Sequence, residues 1–320
     1  MEKGIAIAGT VIVDKIYGIN AFPAVGELTQ IKSISRAVGG CVPNVGIDIK
    51  KIDGDVPVYA CGKVGKDDEG VFVINTLSQN GLDVSELKTE PNFGTSFTDV
   101  MSVAGGERTF FTYAGASAQF GIADVNFDLP VKMLHLGYFL LLDKVDNGDG
   151  LKILKAAKER GIKTSIDLVS ENTDRYSLVA PCLEYTDNLI INEIEAGKLA
   201  GISPERKNIR KIAETLKEKG VKERVIIHLP EFGACLSENG YMEIPSLSLP
   251  KGYVKGSTGA GDAFCAGALY GIYKDFSDKQ ILEFASQVAA VSLRAADSVS
   301  GLCGYKEITE FCSQFKRREL

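Results

Sequence analysis

The sequence predicts an α/β protein, a mostly parallel sheet covered by helices on both faces, with a small β-sheet appended to it. Three observations carry this. From Lys132 onward short apolar runs alternate with amphipathic ones, and near-continuous apolar strands between helices mark a parallel sheet buried on both sides. The stretches Asp14–Gly39 and Gly94–Ala116 are rich in strand formers yet do not fit that alternation, so they are assigned to the appendage. Finally, 320 residues with 45% hydrophobic content are enough for one large α/β unit with an appendage, or for two modest domains.

The elements follow in order. "GIAIAGT", Gly4 to Thr10, is the first strand, and "TQIKSISRAVGG" is a strand of the appendage. "NVGIDIKKIDG" and "DDEGVFVINTLSQNG" read as helices, the second stopping at Gly81 as a C-terminal cap would. "TSFTDVMSVAGGERTFFTYAGA" reads as two strands joined at Gly105-Gly106, a pair suited to a tight hairpin turn. "KMLHLGY", "KTSIDL", "NLIIN" and "RVIIHL" are core strands, and "LKILKAAKERG" and "PERKNIRKIAETLKEKG" are helices between them. Ser203-Pro204 predicts an N-cap followed by Pro at the first helical position, and Ser277 with Gln280 predicts a capping box. The last helices open near Asp262 and Ser277, with no internal repeat and no low-complexity linker.

Composition removes several classes of function. A net charge of −6 without a dense Lys/Arg block gives no footprint for nucleic acid, and a small-molecule ligand is the default. Seven cysteines without a C-x-x-C pair suit reduced thiols in a cytosol. His135 and His228 each lie inside an apolar run and read as strand residues rather than zinc ligands or catalytic groups. No signal peptide precedes "MEKGIAIAGT", and no apolar run approaches a membrane span. The expectation is a cytoplasmic protein without a membrane partner, with "KRREL" as a solvated helix end.

"GSTGAGDAFCAGALYG", Gly256 to Gly271, is the most informative stretch. It is no P-loop, because no Lys-Ser or Lys-Thr follows Gly259 or Gly261. It is no dinucleotide fingerprint either, because Phe264 stands where a third Gly belongs. Phe264, Ala268, Leu269, Ile272, Tyr273 and Phe276 fall on one side of a helix by their spacing, which puts Asp262 in its first turn. Asp262 reads either as a helix cap or as a base beside an anion held by the amides of Gly259, Ala260 and Gly261. Gly-Ala-Gly before it, and Gly267 inside the helix, are more than a cap requires.

"GSTGAGDAFCAG" resembles the C-terminal signature of the ribokinase-type (PfkB) carbohydrate kinases, D-T-x-G-A-G-D-x-F-x-x-G. The resemblance implies a three-layer α/β/α core with a β-sheet lid, here segments of about 11–39 and 94–116 inserted in one kinase domain spanning 1–320. It implies Asp262 as catalytic base and Gly259, Ala260 and Gly261 as the anion hole. Gly256 stands where the motif begins with Asp, which argues against the monovalent-cation site of many members.

"AVGGCVPNVGID" resembles the family's N-terminal signature and nominates Gly39, Gly40 and Asn44 for the sugar; by itself the motif reads equally as a turn before a helix. Asp14 matches an Asp that accepts from two sugar hydroxyls, and on sequence alone it is equally an exposed turn residue. "NEIEA" resembles the family's N-x-x-E motif, placing Asn192 near ATP and Glu195 at Mg2+ through water; otherwise it is a solvent-facing helix start. Leu229, Glu231 and Gly233 are nominated for the nucleotide wall, with Thr258 and Gly261 at its phosphates. "ERTFFTYAGASAQF" resembles the lid strand, making Arg108, Phe111 and Tyr113 candidates for substrate contact. An aromatic pair on a small sheet reads first as interface or core.

The resemblance therefore implies a cytoplasmic kinase that uses ATP and magnesium to phosphorylate a hydroxyl, primary by expectation, of a small sugar or sugar acid, as a homodimer joined through the β lid. The alternatives are a nucleoside kinase of the adenosine type on the same scaffold, and a sugar-binding regulator that has lost catalysis. Cys41 stands where ribokinases tend to have Lys, and "HLGYF" lacks their Glu, so ribose is not indicated.

Overall fold

The computed structural model describes residues 3–103, 108–171, 173–295 and 297–319. The chain opens with β1 (Gly4–Gly9), β2 (Ile12–Ile19) and β3 (Ile31–Gly39), then α1 (Cys41–Ile52), β4 (Val58–Gly65), α2 (Asp68–Gln79) and β5 (Leu87–Glu90). Next come β6 (Phe97–Val103), β7 (Arg108–Tyr113), β8 (Val131–Phe139), α3 (Gly150–Glu159), β9 (Lys163–Leu168), β10 (Asn188–Asn192), α4 (Glu193–Ala200) and α5 (Ile209–Glu218). The last elements are β11 (Arg224–His228), β12 (Phe232–Ser237), β13 (Gly240–Pro245), α6 (Ala260–Tyr273), α7 (Asp278–Ser292) and α8 (Tyr305–Ser313).

Nine strands make the main sheet in the order β13-β12-β11-β10-β9-β8-β1-β4-β5. Seven of them, β11 through β5 in that order, run parallel, and the β12–β13 hairpin adds an antiparallel edge. Strand alternation splits the core into two layers. Ile5, Ile7, Ile190 and Ile226 face the layer that holds α1, α6, α7 and α8. Ala6, Ala8, Leu189, Ile191 and Ile227 face the layer of α3, α4 and α5. The three-layer arrangement expected from the sequence is present.

The second sheet has the order β3-β2-β6-β7. It is mixed: β2 runs antiparallel to β3 and parallel to β6, and β6 runs antiparallel to β7. The expected Gly105-Gly106 turn lies outside the described residues. Among the described residues no helix is long and apolar enough to cross a membrane.

Three local expectations are corrected. Ser203-Pro204 does not cap a helix: α5 begins at Ile209 after a short turn, the Ser203 carbonyl accepts from Asn208 Nδ2, and Pro204 packs against Gly197 of α4. That tertiary contact outweighs the local capping preference. "KRREL" is no helix end, because α8 stops at Ser313. Beyond it the chain runs alongside residues 245–248, with Ser248 N–H donating to Lys316 and Arg318 N–H to Ser246. Finally, α6 has no single apolar side, since every residue from Asp262 to Tyr273 is buried.

Candidate active site

The core strands end at one side of the main sheet, and the site is assembled there. Tyr138, Asp167, Asn192 and His228 stand at or next to the carboxyl ends of β8, β9, β10 and β11. They line a cavity of about 190 Å³ together with Ser170, Glu195, Gly259, Gly261, Asp262 and Cys265. A larger cavity of about 490 Å³ adjoins it and shares Asn192, His228 and Gly261. Its walls are mostly apolar, with Leu229, Leu249, Val254 and Leu293 among them. Ligand sites of α/β sheets lie at such strand ends.

Helix α6 enters between the two cavities. Its N-cap Gly259 has φ +78°, a conformation that suits glycine, and a Cβ there would come within 2.4 Å of Ser298. The first amides of a helix have no carbonyl of their own helix to bond, and the dipole makes that end attractive to anions. Ala260 is partly committed, its N–H donating to the Ser257 carbonyl at 3.2 Å.

Asp262 makes no capping bond. Its Oδ2 accepts from Asn44 Nδ2 at 2.8 Å, and the Tyr138 hydroxyl donates to Oδ1 and Oδ2 at 3.0 and 2.9 Å. The side chain is 6% exposed. Burial, then the neighbouring Asp167, push its pKa up to about 7, while Asn44 and Tyr138 pull the other way. Tyr138 reaches it because the β8–β9 register shifts between Leu136 and Phe139 and Tyr138 adopts φ 60°. A bulge of this kind re-aims a side chain at a strand end. Burial and the Asp262 charge hold the Tyr138 phenol well above its ordinary value, so it remains a donor. Ser298 in turn donates to Asn44 Oδ1 at 2.9 Å.

Asn192 and Glu195 form a reciprocal capping box at the start of α4. Glu195 does not face solvent: it is 4% exposed, it accepts from Ser170 Oγ at 2.8 Å and from the Asn192 N–H at 3.1 Å, and burial lifts its pKa to about 7. Glu195 thus brings a buried carboxylate to the cavity wall, an oxygen donor that a hard divalent cation fits.

The other candidates are distributed as follows. Asp14 lies on β2 with its carboxylate against Gly39, where a Cβ would come within 2.4 Å of Oδ2, and burial raises its pKa to about 6. Gly40 caps α1 at φ 88°. Arg108 Nη1 donates to Thr258 Oγ1 at 3.1 Å, joining the small sheet to the glycine loop.

Some nominations are corrected. In register, Asp14 pairs with Thr98 and Thr98 with Thr112, so Arg108, Phe110 and Thr112 share the face of Asp14. Phe111 and Tyr113 lie on the opposite face, where Tyr113 packs on Phe97 with centroids 5.4 Å apart. Of the proposed nucleotide wall, Leu229 lines the larger cavity. Glu231 sits in the exposed β11–β12 turn, and Gly233 faces Phe264 and Leu282 in the helix packing. Sequence reasoning did not single out Tyr138, Asp167, Ser170, Cys265 and Ser298, and it took His228 for a plain strand residue. The strand-end rule alone points to Tyr138, Asp167 and His228.

A family model described as pfkB family carbohydrate kinase matches residues 5–302. The chain is 23% identical over 307 residues to a ribokinase of Arabidopsis thaliana, covering 95% of this chain and 79% of that protein. It is 24% identical over 310 residues to a 5-dehydro-2-deoxygluconokinase of Clostridium botulinum, covering 91% and 88%. The solved structure of Arabidopsis thaliana ribokinase complexed with ribose and ATP superposes with a TM-score of 0.82 at 20% identity, over 99% of this chain and 100% of that one.

Proposed function

The chain belongs to the pfkB family of carbohydrate kinases, and from that footing we propose that it transfers the γ-phosphoryl group of ATP to a hydroxyl, by preference primary, of a small sugar or sugar acid, with Asp262 as the base. The observation that carries this reading is a buried carboxylate with its pKa raised to about 7, at a helix N-terminus where a polar cavity meets an apolar one. A base is most useful when its pKa is near the working pH.

The acceptor occupies the smaller cavity. Asp262 takes the hydroxyl proton as that oxygen attacks the γ-phosphorus, and the bond to ADP breaks. Asn44 and Tyr138 hold the Asp262 carboxylate in place. Asn44 already bonds Asp262 and Ser298, so it meets the sugar only alongside the base. Asp14, with Gly39 and Gly40 behind it, lines neither cavity; it holds acceptor hydroxyls that project from the smaller cavity toward the small sheet, since each carboxylate oxygen accepts one O–H. The free amides at Gly259 and Gly261, with Ala260 between them, stabilise charge on the transferred group. Glu195, its carboxylate oriented by the Asn192 N–H, would hold magnesium through water, and the ion would supply neutralisation of phosphate charge.

The adenine side of ATP occupies the larger cavity against Leu229, with Thr258 and Gly261 toward the phosphates. Arg108 closes the small sheet onto Thr258 and excludes water, which otherwise competes as acceptor. We treat residues 1–320 as one kinase domain with this sheet as its lid. Ile34 and Phe111, on the face turned away from Asp14, are 70 and 59% exposed, which supports a homodimer through the lid, read by light scattering at micromolar protein. Seven free cysteines support a cytosolic location.

The test is ADP release measured across fructose, ribose, ketodeoxygluconate and adenosine. Turnover with a sugar alone supports the reading, turnover with adenosine alone replaces it with a nucleoside kinase, and ligand-induced stabilisation without ADP points to a binding protein.

A further inference from the structure

We propose that Cys41, His135 and Asp167 form a binding site for a thiophilic divalent cation of the zinc class, beneath the candidate active site and separate from the magnesium position at Glu195. One ligand atom from each of the three lies within 4.8 Å of the others, and all three residues are buried. His135 Nε2 stands 3.4 Å from Asp167 Oδ2. Zinc bonds to nitrogen and oxygen of about 2.0–2.2 Å, opened at the tetrahedral angle, set the two ligand atoms roughly 3.3–3.5 Å apart. A charged hydrogen bond between such atoms runs shorter, about 2.7–2.9 Å. The pair is spaced for an ion between them.

The atoms behind the ligands are already committed. His135 Nδ1 meets Ser165 Oγ at 3.1 Å, which leaves Nε2 facing inward. Asp167 Oδ1 accepts the Tyr138 N–H at 2.5 Å, which leaves Oδ2. Outer partners of this kind orient the ligands of metal sites. Gly137 clears the third position, since a Cβ there would come within 2.0 Å of Cys41 Sγ. Cys265 Sγ stands 3.6 Å from the same His135 Nε2 but lies outside the three-ligand cluster, which leaves the fourth position to water. Sulfur and imidazole donors select zinc over magnesium. Asp167 and Cys265 also line the smaller cavity, which gives the ion an entrance.

A nucleophilic Cys-His-Asp reading of the same residues is weaker. Cys41 lines neither of the two cavities. In the metal reading the Cys41 S–H bond breaks on binding, sulfur donates its electron pair to the cation, and the proton leaves to solvent as the ion sheds water. No oxidant or reductant is needed.

The experiment titrates metal-free full-length protein with Co2+ and then displaces it with Zn2+. The expected result is one equivalent per chain, a thiolate-to-cobalt band in the near ultraviolet, and loss of that band on adding zinc. Cys41→Ser and Asp167→Asn should each weaken cobalt binding at least tenfold. The proposal is overturned by a wild-type spectrum without the thiolate band at tenfold excess cobalt, or by wild-type affinity in folded Cys41→Ser. Should a variant not fold, the wild-type spectrum decides alone. The readout uses neither ATP nor sugar, so its outcome is independent of the kinase reading.

Discussion

At the scale of single residues, the site turns on Asp262 and the groups that oppose its burial. Ionised Asp262 is the active form of a base, so kcat/KM should rise with pH along an acid limb near 7, the value to which burial and Asp167 lift it. Asp262→Asn should lower kcat by about 10²–10⁴-fold, the usual weight of a general base, and remove that limb. Nucleotide affinity, read by calorimetry, should change little. The Tyr138 hydroxyl favours the carboxylate form by donating to it. A bond of that strength is worth about 0.5–1.5 kcal/mol, so Tyr138→Phe should move the acid limb upward by roughly 0.5–1 pH unit. An unmoved limb in that variant would remove Tyr138 from the site's electrostatics.

At the scale of elements, the helix that carries Asp262 is held by close packing. Gly267, which looks out of place in a helix by propensity, lies where a Cβ would come within 2.8 Å of the Ala285 Cα on α7. The obstacle is backbone, so Gly267→Ala should cost about 1–3 kcal/mol as overpacking does despite the better helix propensity of Ala, read as a lower Cm in urea. An unchanged or raised Cm would show that α6 and α7 part without strain. The same helix shows what the sequence makes legible. Its Gly-Ala-Gly-Asp opening is a local pattern, and so are the Asn192–Glu195 and Ser277–Gln280 boxes and the apolar core strands. Asp167 and Tyr138 acquire meaning only when parallel strands bring β8 and β9 under α6, and the bulge that turns Tyr138 toward Asp262 leaves no mark in composition. Strand alternation alone puts Phe111 and Tyr113 on one face, but which face meets Asp14 depends on the β2–β6–β7 register, which a single sequence does not encode locally. The Ser203-Pro204 pair is the reverse case, a local signal overridden by a contact with α4.

At the scale of the whole molecule, the acids gathered for function set the pH dependence of stability. Asp14, Glu195 and Asp262 are raised to about 6, 7 and 7 from ordinary values of 3.8, 4.5 and 3.8, in each case chiefly by burial. Between about pH 4 and 7 the folded chain therefore holds protons that the unfolded chain has released, so unfolding free energy falls as pH rises through that window. Carrying one carboxylate from 3.8 to about 7 costs on the order of 4 kcal/mol above both values. Asp67, Asp149 and Asp278 are lowered by their hydrogen bonds and lysine or arginine neighbours; they add stability that is lost only as pH falls below the ordinary carboxylate range. The two sets together place the stability maximum near pH 4, where the raised acids are still protonated in both states and the lowered ones already ionised, on the acid side of the working range. Urea titrations at pH 5 and pH 8 should show the higher Cm at pH 5, and Asp262→Asn should narrow the gap by stabilising the pH 8 form. Equal midpoints, or a wild type more stable at pH 8, would mean that water reaches these carboxylates, and the argument for Asp262 as a base tuned by burial would go with it.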